Sequence, residues 1–177
     1  MGEIKIFGYI IIAILCLTAI VTPLMEAFFA YRERLMLSDA LYNSCRVATE
    51  AGYNDWYMKN INAEVNITAF RDAFAETFAM SFDLDDSPSW TLSANVGTFI
   101  FKSNAPNAYN DCEVVLTFDR KPPNPDNKVI TVVTAAATSE YKFKNAYMRR
   151  VSNIIYAPPR VPYQLKCTRK FTMEVIN

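Results

Sequence analysis

Between Ile6 and Met25 the chain carries twenty consecutive residues without a formal charge, most of them Ile, Leu, Ala and Val. A helix rises about 1.5 Å per residue, so a run of this length matches the ~30 Å hydrocarbon core of a bilayer. Nothing else in the sequence restricts the fold as much. A helix apolar on every side is stable in lipid or packed among other apolar helices, not on the surface of a water-soluble domain. Charges mark both ends, Glu3 and Lys5 before the run and Glu26, Arg32, Glu33 and Arg34 after it. A secretory signal peptide has a shorter apolar region followed by a small-residue cleavage site, and no Ala-x-Ala pattern follows directly after Thr22. The expectation is a retained anchor, with residues 6–25 in the membrane.

After Met25 the apolar pattern becomes one-sided. Leu37, Leu41, Ser44, Ala48 and Ala51 recur at spacings of four and three, while Arg34, Asp39, Arg46 and Glu50 fall elsewhere, which predicts a continuous helix with one buried stripe. The first stop signal is Gly52, where a left-handed C-terminal glycine is expected before Tyr53-Asn54-Asp55. A helix of about 48 residues would be about 70 Å long, more than a domain of this size can cover, so part of it must project. Pro23 lies inside it and cannot donate to Ala19, which predicts a kink or local loosening.

The 177 residues, less about 30 for the anchor, leave enough chain for one domain with a core of its own. The expected division is 1–30 membrane or filament-core helix, 31–52 amphipathic stem and 53–177 head. Eighteen basic and eighteen acidic residues give no electrostatic case for nucleic acid. There is no His, which removes the commonest general base, the commonest zinc ligand and every Ser-His or Cys-His nucleophile pair. No glycine-rich phosphate loop can be built from Gly2, Gly8, Gly52 and Gly97. The residues therefore nominate no catalytic group, no metal site and no cofactor. The charge balance across the apolar run is nearly even, so orientation rests on form: a short N-terminal tail before a large C-terminal domain is the form of a signal-anchor whose domain is exported.

Cys16 lies within the apolar run and behaves there as a small hydrophobe. Cys45, Cys112 and Cys167 lie outside it, so at most one bridge forms among them. Cys112 and Cys167 both fall in strand-like runs and are the favoured pair, joining the C-terminal strand to the sheet; the alternative is three reduced thiols.

Residues 60–84 read as a second, shorter helix, capped by Asn66 or Thr68, with Phe70, Phe74 and Phe78 on every fourth position facing a core. Asn66-Ile67-Thr68 also matches a glycosylation sequon, although capping explains the same residues. Asp83, Asp85 and Asp86 carry oxygen ligands of the kind calcium uses but lack the glycine turn and distal Glu of a known loop, and read as a solvated junction. From Trp90 onward β-branched and aromatic runs predict strands over 90–102, bent near Gly97, and over 112–120, 128–138 and 163–176. The Pro- and Asn-rich segment 121–127 reads as a hairpin connection, and 146–155 as a short helix or strand continuation. The fold class is therefore α+β: a long N-terminal helix on a small antiparallel sheet, with a second short helix.

An apolar N-terminal helix that continues as a stem and packs on such a sheet resembles the type IV pilin and pseudopilin architecture. More specifically, Glu26-Ala27-Phe28-Phe29-Ala30-Tyr31-Arg32-Glu33-Arg34-Leu35, with Ala40 and Arg46 beyond, is similar to the stem of TadE- and TadF-like pseudopilins of Tad pilus systems. Pro23 lies about where such helices carry a proline. The prepilin-peptidase pattern of those families, a Gly before the cleaved bond and a Glu at the fifth position after it, is absent here, because counting from Gly2 or Gly8 reaches Phe7 or Ala13. The resemblance implies a structural, non-enzymatic subunit of an extracellular filament at the cell surface. Its expected partners are copies of itself or other pilin-like subunits, the pilus assembly machinery and the membrane. It implies assembly roles for Glu3, Ile14, Pro23, Glu26 and Arg46, Glu3 standing in for the early Glu that pairs with a neighbour's amino terminus. The reading kept beside it is a monomeric anchored binding or sensory domain with the helix as a tether.

Overall fold

The computed structural model describes residues 2–53, 66–104, 109–121, 128–146, 148–150 and 163–176. The first element is a single helix, α1, Gly2–Gly52, of 51 residues, about 76 Å at ~1.5 Å per residue. It runs unbroken through Pro23. The second helix, α2, spans Ile67–Ser81, and five strands follow: β1 Ser89–Ser93, β2 Val96–Phe101, β3 Tyr109–Lys121, β4 Lys128–Tyr141 and β5 Gln164–Ile176. The strands form one antiparallel meander in the order β1-β2-β3-β4-β5. The fold is the α+β arrangement that the periodicities predict.

Both helices lie on one face of the sheet. Alternation along β3 turns Cys112, Val114, Leu116 and Phe118 inward, and the register places Ser139, Ala137, Ala135 and Val133 of β4 beside them. α2 covers the β2–β3 half through its phenylalanines. Phe70 meets Phe118 edge-on at 5.5 Å, Phe74 stacks on Phe99 at 5.6 Å, and Phe78 packs on Phe101 at 5.1 Å. These rings are fully buried. α1 covers the other half, against β4 and β5. Of its predicted stripe, Leu37, Leu41, Ser44 and Ala48 are buried and Ala51 is half-buried, and Ala30, Ala40 and Cys45 are buried with them. Alanines on both sides, Ala40 and Ala48 on the helix and Ala135 and Ala137 on β4, leave room for the helix to sit close to the strand. The buried hydroxyl of Ser44 donates to the Ala40 carbonyl at 2.7 Å and so enters the core satisfied.

Several boundaries differ from expectation for local physical reasons. The described part of the second helix starts later than 60 because Asn66 is its cap, its side chain accepting from the Ala69 N–H at 3.1 Å; Thr68 lies inside the helix. It stops at Ser81 because Asp83 turns into the left-handed region at φ 48. The predicted bent strand over 90–102 is a hairpin. The chain reverses at Ala94-Asn95, with Ala94 at φ 52, and Ser93 pairs with Val96. Gly97 does not bend a strand; it lies under the Trp90 indole, where a Cβ would collide with the ring. Gly52 is the last helical residue and is not left-handed; the Tyr53 N–H simply continues the helical pattern to the Thr49 carbonyl. Residues 122–127 of the connection, with 147 and 151–155, lie outside the described residues; 146 and 148–150 are helical, the Arg149 N–H donating to the Asn145 carbonyl at 3.0 Å, and β3 and β4 pair antiparallel on either side of the connection.

The predicted Cys112–Cys167 bridge is not formed. Cys112 pairs with Ser139 and Cys167 with Ala137, so β4 stands between the two cysteines. Two strand spacings amount to about 10 Å, beyond the ~7 Å limit a disulfide tolerates between Cα atoms. Strand-like sequence at both positions was correctly read, but their separation depends on strand order, which no local pattern carries.

Candidate functional site

Among the described residues, the N-terminal half of α1 is a long apolar surface that nothing in the domain covers. None of its most apolar 18-residue window is buried against the domain. It is long and apolar enough to cross a membrane by length and composition. Ile14, in the middle, is 56% exposed. The exposed apolar surface does not end where the charges begin. Flanking the buried stripe on the side toward β5, Phe28, Tyr31, Leu35 and Tyr42 remain exposed, Tyr42 with its ring 5.8 Å from that of Phe171. With Leu17, Val21 and Leu24 they fall at alternating spacings of three and four, interrupted only by Ser38, which is the seam of a helix that packs on another helix. The sequence reading found the buried stripe and missed this one. Its spacing carries the same signal, masked because nearly every position in the span is apolar.

At the point where the span meets the head, the backbone N–H of Asn145 donates to Glu26 Oε1 at 2.6 Å. The other oxygen, Oε2, is buried with no partner among the described residues. Glu26 is thus a structural latch between the stem and the segment after β4. Its negative charge is felt nearby: burial first, then Glu26 and Glu33, push the Tyr141 hydroxyl above its ordinary range, against a smaller opposing effect of Arg32. Pro23 lines a shallow hollow with Ala19, Thr22 and Asn145, one turn before this latch. Arg46 is exposed and lies 3.5 Å from Glu50 on the same helix. Glu3 lies in the first turn of α1, and its side chain falls outside the described residues. Glu3, Ile14, Pro23, Glu26 and Arg46 therefore do not converge; they are strung along one helix, and among the described side chains Glu26 is the one that hydrogen-bonds to the head.

Beside the exposed seam, α1 and the β5 edge enclose an open groove of about 580 Å³ lined by Tyr31, Arg34, Leu35, Ser38 and the stretch Lys166 to Arg169. Arg169 crosses it to donate to Ser38 Oγ at 2.6 Å. Arg34 and Lys166 make no ion pair among the described residues. The groove is basic, and none of its described lining residues is acidic.

The acidic residues gather at the other side of the sheet. Asp83, Asp85 and Asp86 lead into β1, and the backbone places them against the end of β2: the Asp85 N–H donates to the Lys102 carbonyl at 2.9 Å, and the Ser103 N–H to Asp111 at 3.2 Å. Asp85 and Asp86 also accept from Ser87. Among the described residues no three His, Cys, Asp or Glu side chains come together as a metal site would require.

The thiols outside the span are divided by burial. Cys45 and Cys112 are buried, and desolvation pushes both up to about 12, with Glu113 adding to the effect at Cys112 against a smaller opposing hydrogen bond with Thr138. They are neutral thiols at ordinary pH, poor nucleophiles by consequence. Cys167 is half-buried and opens on the groove. The arrangement offers surfaces for association along one side of α1 and at two sheet edges. A scan against protein-family models, a search of curated proteins and a search of solved structures each returned no match to this chain.

Proposed function

We propose that the chain is a structural, pilin-like subunit of a filament at the cell surface, held in the membrane by residues 6–25 before assembly and packing through α1 afterwards, with its head exported. The observation that carries this reading is the apolar seam that continues past the span to Tyr42. Lipid can cover the first 25 residues, but not Phe28 to Tyr42, which stand beside a folded head with charges around them. Exposed apolar seams of this length are expected where another helix covers them. Relative to exposure to water, burying a surface of this extent is worth tens of kcal/mol gross at ~25 cal/mol per Å², enough to hold subunits in a common core once they have left the bilayer.

The test is electron microscopy of material sheared from cells, with mass spectrometry of the intact subunit and an Ile14→Asp variant. Thin filaments containing this chain, lost in Ile14→Asp while the head still folds, are the expected result. Filaments that survive Ile14→Asp overturn the reading. Full function after replacing residues 6–25 by a generic Leu/Ala span identifies the helix as a tether for a monomeric binding or sensory domain instead.

A further inference from the structure

The structure carries two patches of opposite charge at one height. The register aligns Glu113, Thr138 and Lys166 in a single cross-strand row, so the acidic end of β3 and the basic end of β5 lie at the same level along the sheet. Tyr31 and Arg34 of α1 reach the groove at that level as well, because Arg34 lines it with Lys166. The acidic loop, Asp85 and Asp86 beside Asp111, lies on the β1–β2 side, three to four strand spacings from β5, which is about 15–19 Å. That exceeds the ~10 Å screening length at 0.1 M salt, so the two patches scarcely neutralise each other within one molecule.

An anchored chain cannot turn over. If α1 holds every copy the same way up, two copies can meet only side by side, and patches at equal height on opposite edges of the sheet then face one another. We propose that the basic groove of Arg34, Lys166 and Arg169 receives the Asp85–Asp86 loop of a second copy, a contact between two different surfaces that repeats from subunit to subunit. It rests on the reading of α1 as a membrane or filament-core helix. Such a contact builds a ring or an open helical array, not a closed two-fold dimer. The carboxylates would replace solvent at Arg34 and Arg169, with Lys166 at the rim of the groove on the outer face of β5, while Tyr31 and Leu35 in the groove wall bury apolar surface in the same contact.

Cys167 in the groove gives a direct test. Full-length Asp86→Cys chain in its native membrane, treated with a short bifunctional maleimide, is expected to give a ladder of dimers and higher multimers on a denaturing gel. The ladder should vanish in Asp86→Cys/Cys167→Ser and fall at least fivefold when Arg34→Glu is added. No ladder, with Cys167 shown to be labelled by a monofunctional maleimide, overturns the contact, as does a ladder that persists without Cys167 or is indifferent to Arg34→Glu. Filaments without a ladder would sink this contact and leave the filament reading standing; a ladder with no filaments under any condition would do the reverse.

Discussion

The N–H of Asn145 and the carboxylate of Glu26 meet at 2.6 Å across 119 positions of sequence, fastening the segment after β4 to the helix where the apolar span ends. Hydrogen bonds to a charged acceptor are worth about 1.5–3 kcal/mol. Glu26→Leu is therefore expected to lower the stability of the head by that order, while Glu26→Gln, which keeps an acceptor, loses less. Urea titration of the chain in detergent, followed by tryptophan fluorescence, checks both; equal losses would mean that the charge and not the acceptor matters.

Gly97 and Trp90 form a second pair whose fit is steric. A Cβ at 97 enters the space of the indole, so Gly97→Ala should cost about 1–3 kcal/mol by overpacking. In a Trp90→Ala background the same change should cost less than about 0.5 kcal/mol, because the obstacle is gone. Thermal melts of the four variants measure the coupling directly.

Ala94 holds φ 52 at the tip of the β1–β2 hairpin, where an L-residue with a Cβ is strained by roughly 1–2 kcal/mol. Ala94→Gly should raise stability by about 0.5–1 kcal/mol, partly offset by the greater freedom of glycine when unfolded. A lower denaturation midpoint in this variant would contradict the assigned turn.

Phe74 touches Phe70, Phe78 and Phe99 at ring separations of 6.4, 5.4 and 5.6 Å. Truncation to Ala removes the middle of that ladder and is expected to cost about 3–5 kcal/mol. If hydrogen exchange in α2 and β2 is unchanged in Phe74→Ala, the helix does not depend on this stack.

Alkaline pH should unfold the head. The thiols of Cys45 and Cys112 move from 9.0 unfolded to about 12 folded, and the Tyr109 hydroxyl from 10.0 to about 12, the last through burial and then Asp83, Glu33 and Cys112. Above pH 9 the unfolded chain therefore holds fewer protons than the folded one, and stability falls as pH rises. The contribution is complete below about pH 9 and is lost on the way to pH 12. Denaturation midpoints at pH 8, 10 and 11 should decline, less steeply in Cys112→Ala. Iodoacetamide at pH 8 should label Cys167 in the native chain and reach Cys45 and Cys112 only after denaturation.

Much of this architecture was legible in order of chain. Twenty uncharged apolar residues, the 37-41-44-48 stripe, the Phe70-Phe74-Phe78 repeat and the β-branched runs each belong to a single element, and periodicity reports what a single element does. What failed was of another kind. The two-residue reversal at Ala94-Asn95 lacks the usual glycine and has Asn95 alone as a turn former, while Gly97 two positions on suggests a bend in the wrong place. Gly52 predicts a left-handed stop, but the described chain continues the helical bond at Tyr53 without one.

The sequence by itself determined that α1 is longer than its domain and apolar beyond what the domain can cover, because those are properties of composition and spacing along one helix. Only the tertiary structure decided which side of that helix the head takes, that β4 parts Cys112 from Cys167, and that Arg34, Lys166 and Arg169 share one groove at the height of Glu113. Those relations depend on strand order and on register, which are set by how the helices and strands pack together and leave no trace in any local run of residues.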